Sequence, residues 1–274
     1  MGFPDTRHTL IQRIVAASDE TDWRQFLDDY WGPVCRFAAR FGNLNAADAE
    51  DVASQTFEAL LTNQLLSRWM VNHSAKLRTL LCTVSRNVMA NRARVEHGRA
   101  RLLRDHLEQG GALGGLDAPA EQVDVFYTAW VDDLLEQAVE LLLGEYLQSG
   151  KDDYFRVLHG RICEELSMHE IAECLGLKVT TAENFYKSAR KRLASIFEDL
   201  VREHVGRYAA DSSAGEEFAA EWARLGQYLQ KHGGLEDAIR RSYADGNPTT
   251  RNRKREQINQ TISRILPQQV PDGP

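Results

Sequence analysis

Residues 167–193 read SMHEIAECLGLKVTTAENFYKSARKRL, and no other stretch restricts the fold as tightly. Ser167 and Glu170 stand at the S-x-x-E spacing of a capping box, which predicts a helix from Met168. Ile171, Ala172 and Leu175 then share one face. Gly176 follows, where a residue without Cβ can take positive φ and turn the chain sharply. Thr180 and Glu183 repeat the capping-box spacing and predict a second helix start. Behind them Phe185, Tyr186, Ala189 and Leu193 recur at helical spacing. Lys187, Arg190, Lys191 and Arg192 add positive charge suited to phosphates. Two helix starts around one glycine, with small residues where helices must cross, read as a helix-turn-helix with a basic end. An ordinary helix hairpin with a solvated basic face shares the pattern.

Helical spacing also runs through the rest of the chain. Val, Ile and Thr nowhere gather into alternating runs bounded by turns, so the fold class expected is all-α. Asp22 is a candidate cap for a helix carrying Trp23, Phe26, Leu27, Tyr30 and Trp31, which continues or restarts at Pro33 and stops near Gly42. Asn45 caps the next, with Ala49, Val52, Ala53, Thr56, Phe57 and Leu60 inward and Asp48, Glu50, Asp51, Gln55 and Glu58 outward. A third helix is expected from about Ser74 to Arg104, buried along Leu77, Leu80, Leu81, Val84 and Val88. Residues 106–122, with Gly110, Gly111, Gly114, Gly115 and Pro119, read as a flexible linker. Beyond it, Phe126, Trp130, Leu134, Leu135, Ala138, Leu141 and Leu142 form one apolar stripe; Tyr154, Phe155, Leu158, Ile162 and Leu166 form another. The expected organisation is two helical domains, 1–105 and 123–205, plus a helical C-terminal extension, 206–274. In that extension Phe218, Trp222, Leu225 and Leu229 form a stripe expected to pack on the second domain. The basic cluster RNRKR (251–255) is expected to land on acidic surface around residues 132–153.

Charge narrows the functional classes. A net charge of −7 over 274 residues argues against a protein that coats nucleic acid generally. The average hides segregation, because residues 68–106 carry nine basic and two acidic side chains, while residues 107–166 carry three and thirteen. Two basic islands on an acidic background suggest two separate polyanion contacts. The N-terminus MGFPDTRHTL lacks the apolar run of a signal peptide, and no stretch approaches the roughly 20 apolar residues of a membrane span, so a cytoplasmic protein is expected. Cys35, Cys82, Cys163 and Cys174 form no C-x-x-C pair and read as reduced, buried thiols. His159, Cys163, His169 and Cys174 fit no common zinc spacing, so no metal or other cofactor is expected. No Walker loop and no H-x-E with C-x-x-C occurs, and the chain does not read as an enzyme.

Three segments in order resemble extracytoplasmic-function (ECF) sigma factors, the smallest bacterial transcription initiation factors. They are NAADAEDVASQTFEALL (45–61), KLRTLLCTVSRNVMANRAR (76–94) and the helix-turn-helix. The first carries Asp48, Ala49, Glu50, Asp51 and Gln55 as the family's D-A-E-D…Q signature. The second carries Leu80 and Leu81, then Arg86 and Asn87, then Asn91, Arg92 and Arg94. The segment FYTAWVDDLLEQAVELLLGEYLQSGKDDYF (126–155) resembles a subgroup common in planctomycete genomes. The resemblance covers about residues 6–230.

That resemblance implies core RNA polymerase and promoter DNA as partners. The helix bearing Asp48, Glu50, Asp51 and Gln55 would dock on an arginine-bearing coiled coil of the polymerase largest subunit, and the second domain would meet the polymerase flap. Asn72, His73, Arg86, Asn87, Asn91, Arg92 and Arg94 would read and melt the −10 element, because holding an opened strand calls for cations, amides and a base-trapping loop. Trp69, in the same loop region, is more suited to the core. Thr180, Thr181, Asn184, Lys187, Ser188, Arg190 and Lys191 would serve the −35 element. Glu183 and Phe185 depart from the family's usual basic residues there and put the sequence preference in question. An anti-sigma factor or other regulator is a further partner that the resemblance admits. A conventional dimeric helix-turn-helix regulator without sigma activity is the competing expectation.

Overall fold

The structure is a computed structural model, and it describes residues 9–17, 19–71, 76–96, 119–209, 213–244 and 251–265. The described residues form twelve helices and no strand. The first five are α1 (Leu10–Ala17), α2 (Glu20–Gly42), α3 (Ala46–Thr62), α4 (Leu65–Val71) and α5 (Leu77–Glu96). There follow α6 (Ala120–Gln148), α7 (Asp152–Ile162), α8 (Met168–Leu175) and α9 (Val179–Tyr208). The last three are α10 (Ala214–Lys231), α11 (Gly234–Ala244) and α12 (Arg251–Ile265). They gather into two compact units: one holds Leu10–Trp130 together with the C-terminal α12, and the other continues from Val131 through α11. The division falls within α6.

In the first unit, Asp19 rather than Asp22 caps α2, its carboxylate accepting from the Thr21 N–H at 2.7 Å. Asp22 sits in the first turn and pairs with Arg13 of α1 at 2.9 Å. The helix runs through Pro33 without a restart. Proline removes one backbone donor, but Tyr30, Trp31, Val34 and Phe37 on either side of it are all buried and hold the helix in place. Asn43, left-handed at φ 48°, ends it. Asn45 then caps α3 as expected, accepting from the Asp48 N–H at 3.0 Å. Phe57 of α3 lies at the centre of the core, edge-on to Phe26 at 5.6 Å and stacked on Trp31 at 5.9 Å. Phe37 meets Phe126 of α6 at 5.4 Å. Leu77, Leu80, Leu81, Val84 and Val88 of α5 are buried, as their spacing predicts.

Three expectations shift here. The third helix is α5, Leu77–Glu96, while Trp69, expected in a loop ahead of it, belongs to the short helix α4; residues 72–75 and 97–104 lie outside the described residues. Residues 120–122 belong to the first turn of α6, while 106–118 of the expected linker lie outside the described residues. Two described side chains of the basic cluster make their contacts on α2 and α3, not the expected ones on residues 132–153. Arg253 donates to Glu50 of α3 at 2.8 Å, and Lys254 donates to the Asp28 carbonyl of α2 at 2.9 Å. Charge alone cannot choose among acidic surfaces. Ile258 and Ile262, one turn apart and both buried, need an apolar seat, and α12 packs on α2 and α3.

In the second unit, Ser167 and Glu170 form the expected reciprocal capping box at the start of α8. Gly176, at φ 65°, ends α8, with its N–H on the Glu173 carbonyl and the Leu177 N–H on the Ala172 carbonyl. That pair of hydrogen bonds is the Schellman arrangement, in which the residue after the glycine packs back on the helix. Leu177 joins a cluster made by Val157, Ile171, Ala172 and Ala182. Its position forces the next helix to begin at once. Lys178 is therefore the N-cap of α9, with no side-chain cap bond, and the expected second capping box at Thr180 does not form. α10 packs on α9 through Phe197 and Trp222, 6.2 Å apart, and Arg202 stands 3.8 Å over the Phe218 ring. α11 holds α7 through Arg240, which donates to the Ile162 carbonyl at 3.0 Å. Leu141, expected in an apolar stripe, is half exposed at 52%. Cys35 and Cys82 are buried, whereas Cys163 is partly exposed and Cys174 is exposed, contrary to the expectation of four buried thiols. Among the described residues no helix is long and apolar enough to cross a membrane.

Candidate nucleic-acid interface

The turn at 176–178 fixes how α9 presents its first turns. Ala182 and Ala189 are buried, so the opposite side looks outward. Thr180, Asn184, Lys187, Ser188 and Lys191 are all exposed and recur three or four residues apart, which places them on one face. Thr181 is half-buried beside them. This face carries hydroxyls, one amide and two ammonium groups. These are the donors and acceptors that contact phosphates and base edges. Among the described residues no ion pair holds Lys187 or Lys191.

The flank of the same helix is different. Arg190 pairs with Glu236 of α11 at 2.9 Å. Arg192 is held by both oxygens of Glu145 on α6, at 2.7 Å for the closest contact. The Arg192 hydrogen bonds pull the Glu145 carboxyl below its ordinary range, more than its slight burial raises it. Tyr186, beside the Arg190–Glu236 pair, is pushed up to about 12, chiefly by burial and then by its bond to Glu236. Phe185 stacks on Tyr154 at 3.9 Å, so this departure from the family pattern is a packing residue. Glu183 remains exposed. Between α7 and α8 an open cavity of about 420 Å³ is lined by Phe155, Leu166, Ile171 and Leu175 among others.

On the first unit, α3 carries two adjoining charged stripes. Asp48, Asp51 and Gln55 form one, and Asp51 and Gln55 are exposed. Glu50, Ser54 and Glu58, each one turn apart, form the other. Glu50 is only 2% exposed, which overturns the expectation that it faces solvent. The reason is α12: Arg253 covers Glu50, Arg264 donates to the Ser54 hydroxyl at 3.1 Å and stands 3.9 Å from Glu58. Ser54 also shares a 3.1 Å hydrogen bond with Thr261.

Among the residues expected at the −10 element, Asn72 and His73 lie outside the described residues. Asn87 and Asn91 are half-buried on α5, and Arg94 is exposed. Arg92 does not share their side. It points at α3 and bridges Asp48 at 2.7 Å and Asp51 at 3.3 Å. Arg86 donates to the Gln122 side chain on α6 at 2.9 Å. Its charge partly offsets the burial that pushes the nearby Cys82 thiol up to about 11. Trp69 is half-buried.

Comparison with protein-family models, with curated proteins and with solved structures gave no match. The geometry therefore stands by itself. It joins Asp48, Asp51 and Arg92, which sequence reading assigned to two different partners. It also adds Glu145, Glu236 and Arg264, which sequence reading did not single out, and gives Arg253 of the basic cluster a partner in Glu50. Their surplus charge was visible, but the pairs span 46 to 210 positions of sequence, and no local pattern marks such a pairing.

Proposed function

We propose that the chain is an ECF-type sigma factor, which binds core RNA polymerase and directs it to promoters in the cytoplasm. One observation carries most of the weight: Arg92 ties the carboxylate stripe of α3 to α5, so one packed unit presents an acidic row beside a cationic, amide-bearing helix. An acidic helix is a poor partner for DNA and a good one for an arginine-bearing protein surface, where charge pairs set register and partner choice. In this reading Asp48, Asp51 and Gln55 meet the coiled coil of the polymerase largest subunit. Asn87, Asn91 and Arg94, with Asn72 and His73 ahead of them, hold the opened −10 strand and its extruded base. Arg86 and Arg92, bonded to Gln122 and to Asp48 and Asp51, brace the helix that carries them.

The second unit serves the −35 element. α8, the turn and α9 form a helix-turn-helix, with Thr180, Thr181, Asn184 and Ser188 at base edges and Lys187, Arg190 and Lys191 at phosphates. The apolar cavity between α7 and α8 offers a seat for a helix of the polymerase flap. Run-off transcription with purified core polymerase, with and without the protein, tests the reading. Promoter-specific transcripts that require the protein support it. DNA binding by the chain alone as a dimer, with no gain in transcription, favours the conventional regulator instead.

A further inference from the structure

The stripe Glu50–Ser54–Glu58 is already occupied by a basic helix of the same chain. Arg253 and Arg264 stand eleven residues apart, three turns along one side of α12, and reach opposite ends of that stripe. Between them Thr261 shares a hydrogen bond with Ser54. Lys254 adds its bond to the Asp28 carbonyl, and Arg24 of α2 reaches back to Asn259. The apolar part of the contact is small: among the described side chains of α12, Ile258 and Ile262 are its buried hydrophobic residues. The helix is held largely by charge and hydrogen bonds around two isoleucines.

This arrangement copies the chemistry that the neighbouring stripe, Asp48–Asp51–Gln55, offers to a partner. Both stripes lie on the outward side of α3, and Asp51 and Glu58, seven residues apart, fall almost on one line of it, so a helix laid along either stripe reaches charges of the other. We propose that α12 is an internal competitor for the charged face of α3: it sits where part of an arginine-bearing partner helix would sit, and polymerase binding requires its release. The proposal rests on the sigma reading and deepens it. It makes Glu50 a docking residue that becomes available only when Arg253 withdraws. The partner it specifies is a helix with basic side chains about three turns apart.

The test uses the full chain with Ser54→Cys and Thr261→Cys, whose parent hydroxyls are 3.1 Å apart. Cys174→Ser removes the exposed native thiol. Oxidation should lock α12 on α3, and reduction should free it, so each sample is its own control. Binding to core polymerase is read by fluorescence anisotropy, with circular dichroism on both forms to verify folding. The oxidised form should bind at least about tenfold more weakly than the reduced form, because the competent population has been withdrawn. Equal binding by two folded forms overturns the competition and leaves the sigma reading standing. No binding by the reduced form or by the natural sequence overturns the sigma reading, and the competition with it. A second variant guards against a poorly formed disulfide. Arg253→Glu with Arg264→Glu should speed hydrogen exchange in α12 and tighten core binding severalfold; weaker binding with α12 released would reject the proposal.

Discussion

α3 and α9 are both charged helices with one apolar face in a core, yet they handle their charge in opposite ways. The charged face of α3 is engaged by its own chain. Arg92 holds Asp48 and Asp51, while Arg253 and Arg264 cover Glu50 and approach Glu58. The leading face of α9 is open, with Thr180, Asn184, Lys187, Ser188 and Lys191 exposed. Only its flank is paired, Arg190 with Glu236 and Arg192 with Glu145. On the proposed function, the difference is between a surface that must exchange partners and a surface that is ready. Exchange lets affinity be set by what is displaced, whereas an open cationic face binds according to salt and phosphate contacts alone.

The largest effect should come from reversing the exposed stripe of α3. Asp51→Arg with Gln55→Ala should abolish co-purification with core polymerase, since a reversed charge at a desolvated pair costs several kcal/mol. Helicity should be unchanged. Wild-type recovery of polymerase by this variant would remove α3 from the docking surface.

The open face of α9 should behave differently. Lys187→Ala with Lys191→Ala should leave stability within about 0.5 kcal/mol, because among the described residues neither side chain has an ion-pair partner to lose. DNA affinity should fall, and the log–log salt slope should shrink by roughly 0.9 for each phosphate contact removed. An unchanged salt slope would place the phosphate contacts elsewhere.

An intermediate effect is expected at Arg92, where the two helices' strategies diverge most. Arg92→Ala should destabilise the first unit by roughly 0.5–1 kcal/mol, an amount discounted for the partial exposure of both carboxylates. Urea titration measures it. A loss of promoter opening with no loss of stability would instead make Arg92 a DNA residue first and a brace second. Asn87→Ala, which breaks no ion pair, should impair opening with stability intact, as permanganate footprinting would reveal.

The smallest effect concerns pH. Arg192 lowers the folded-state pKa of Glu145 below its unfolded value of about 4.3. The pair's stabilisation is therefore present above that unfolded value and is lost as pH falls through the folded one. Thermal melting of the natural sequence should thus decline more steeply below about pH 4 than that of Arg192→Gln. Parallel pH curves would mean that the pair contributes nothing in solution, which is common for exposed ion pairs.

The sequence by itself determined the local structure: the all-helical period, the Ser167–Glu170 box, the Gly176 turn, the Asn45 cap, and the buried stripes of α3 and α5. Each depends on residues within about one or two turns of one another, so a short window contains the whole cause. It failed where two local codes competed. Thr180 and Glu183 have capping-box spacing, but the Leu177 contact with the α7–α8 cluster starts α9 earlier. Only the tertiary structure decided the charge partners. Glu50 looks like a solvent residue until α12 arrives from 203 positions away. Arg92 looks like a DNA residue until α3 is beside it. Charges act through space, and a long-range pair leaves no periodic trace in the chain. Their partners were fixed by where the apolar side chains, among them Ile258, Ile262, Phe57 and Leu81, brought the helices together.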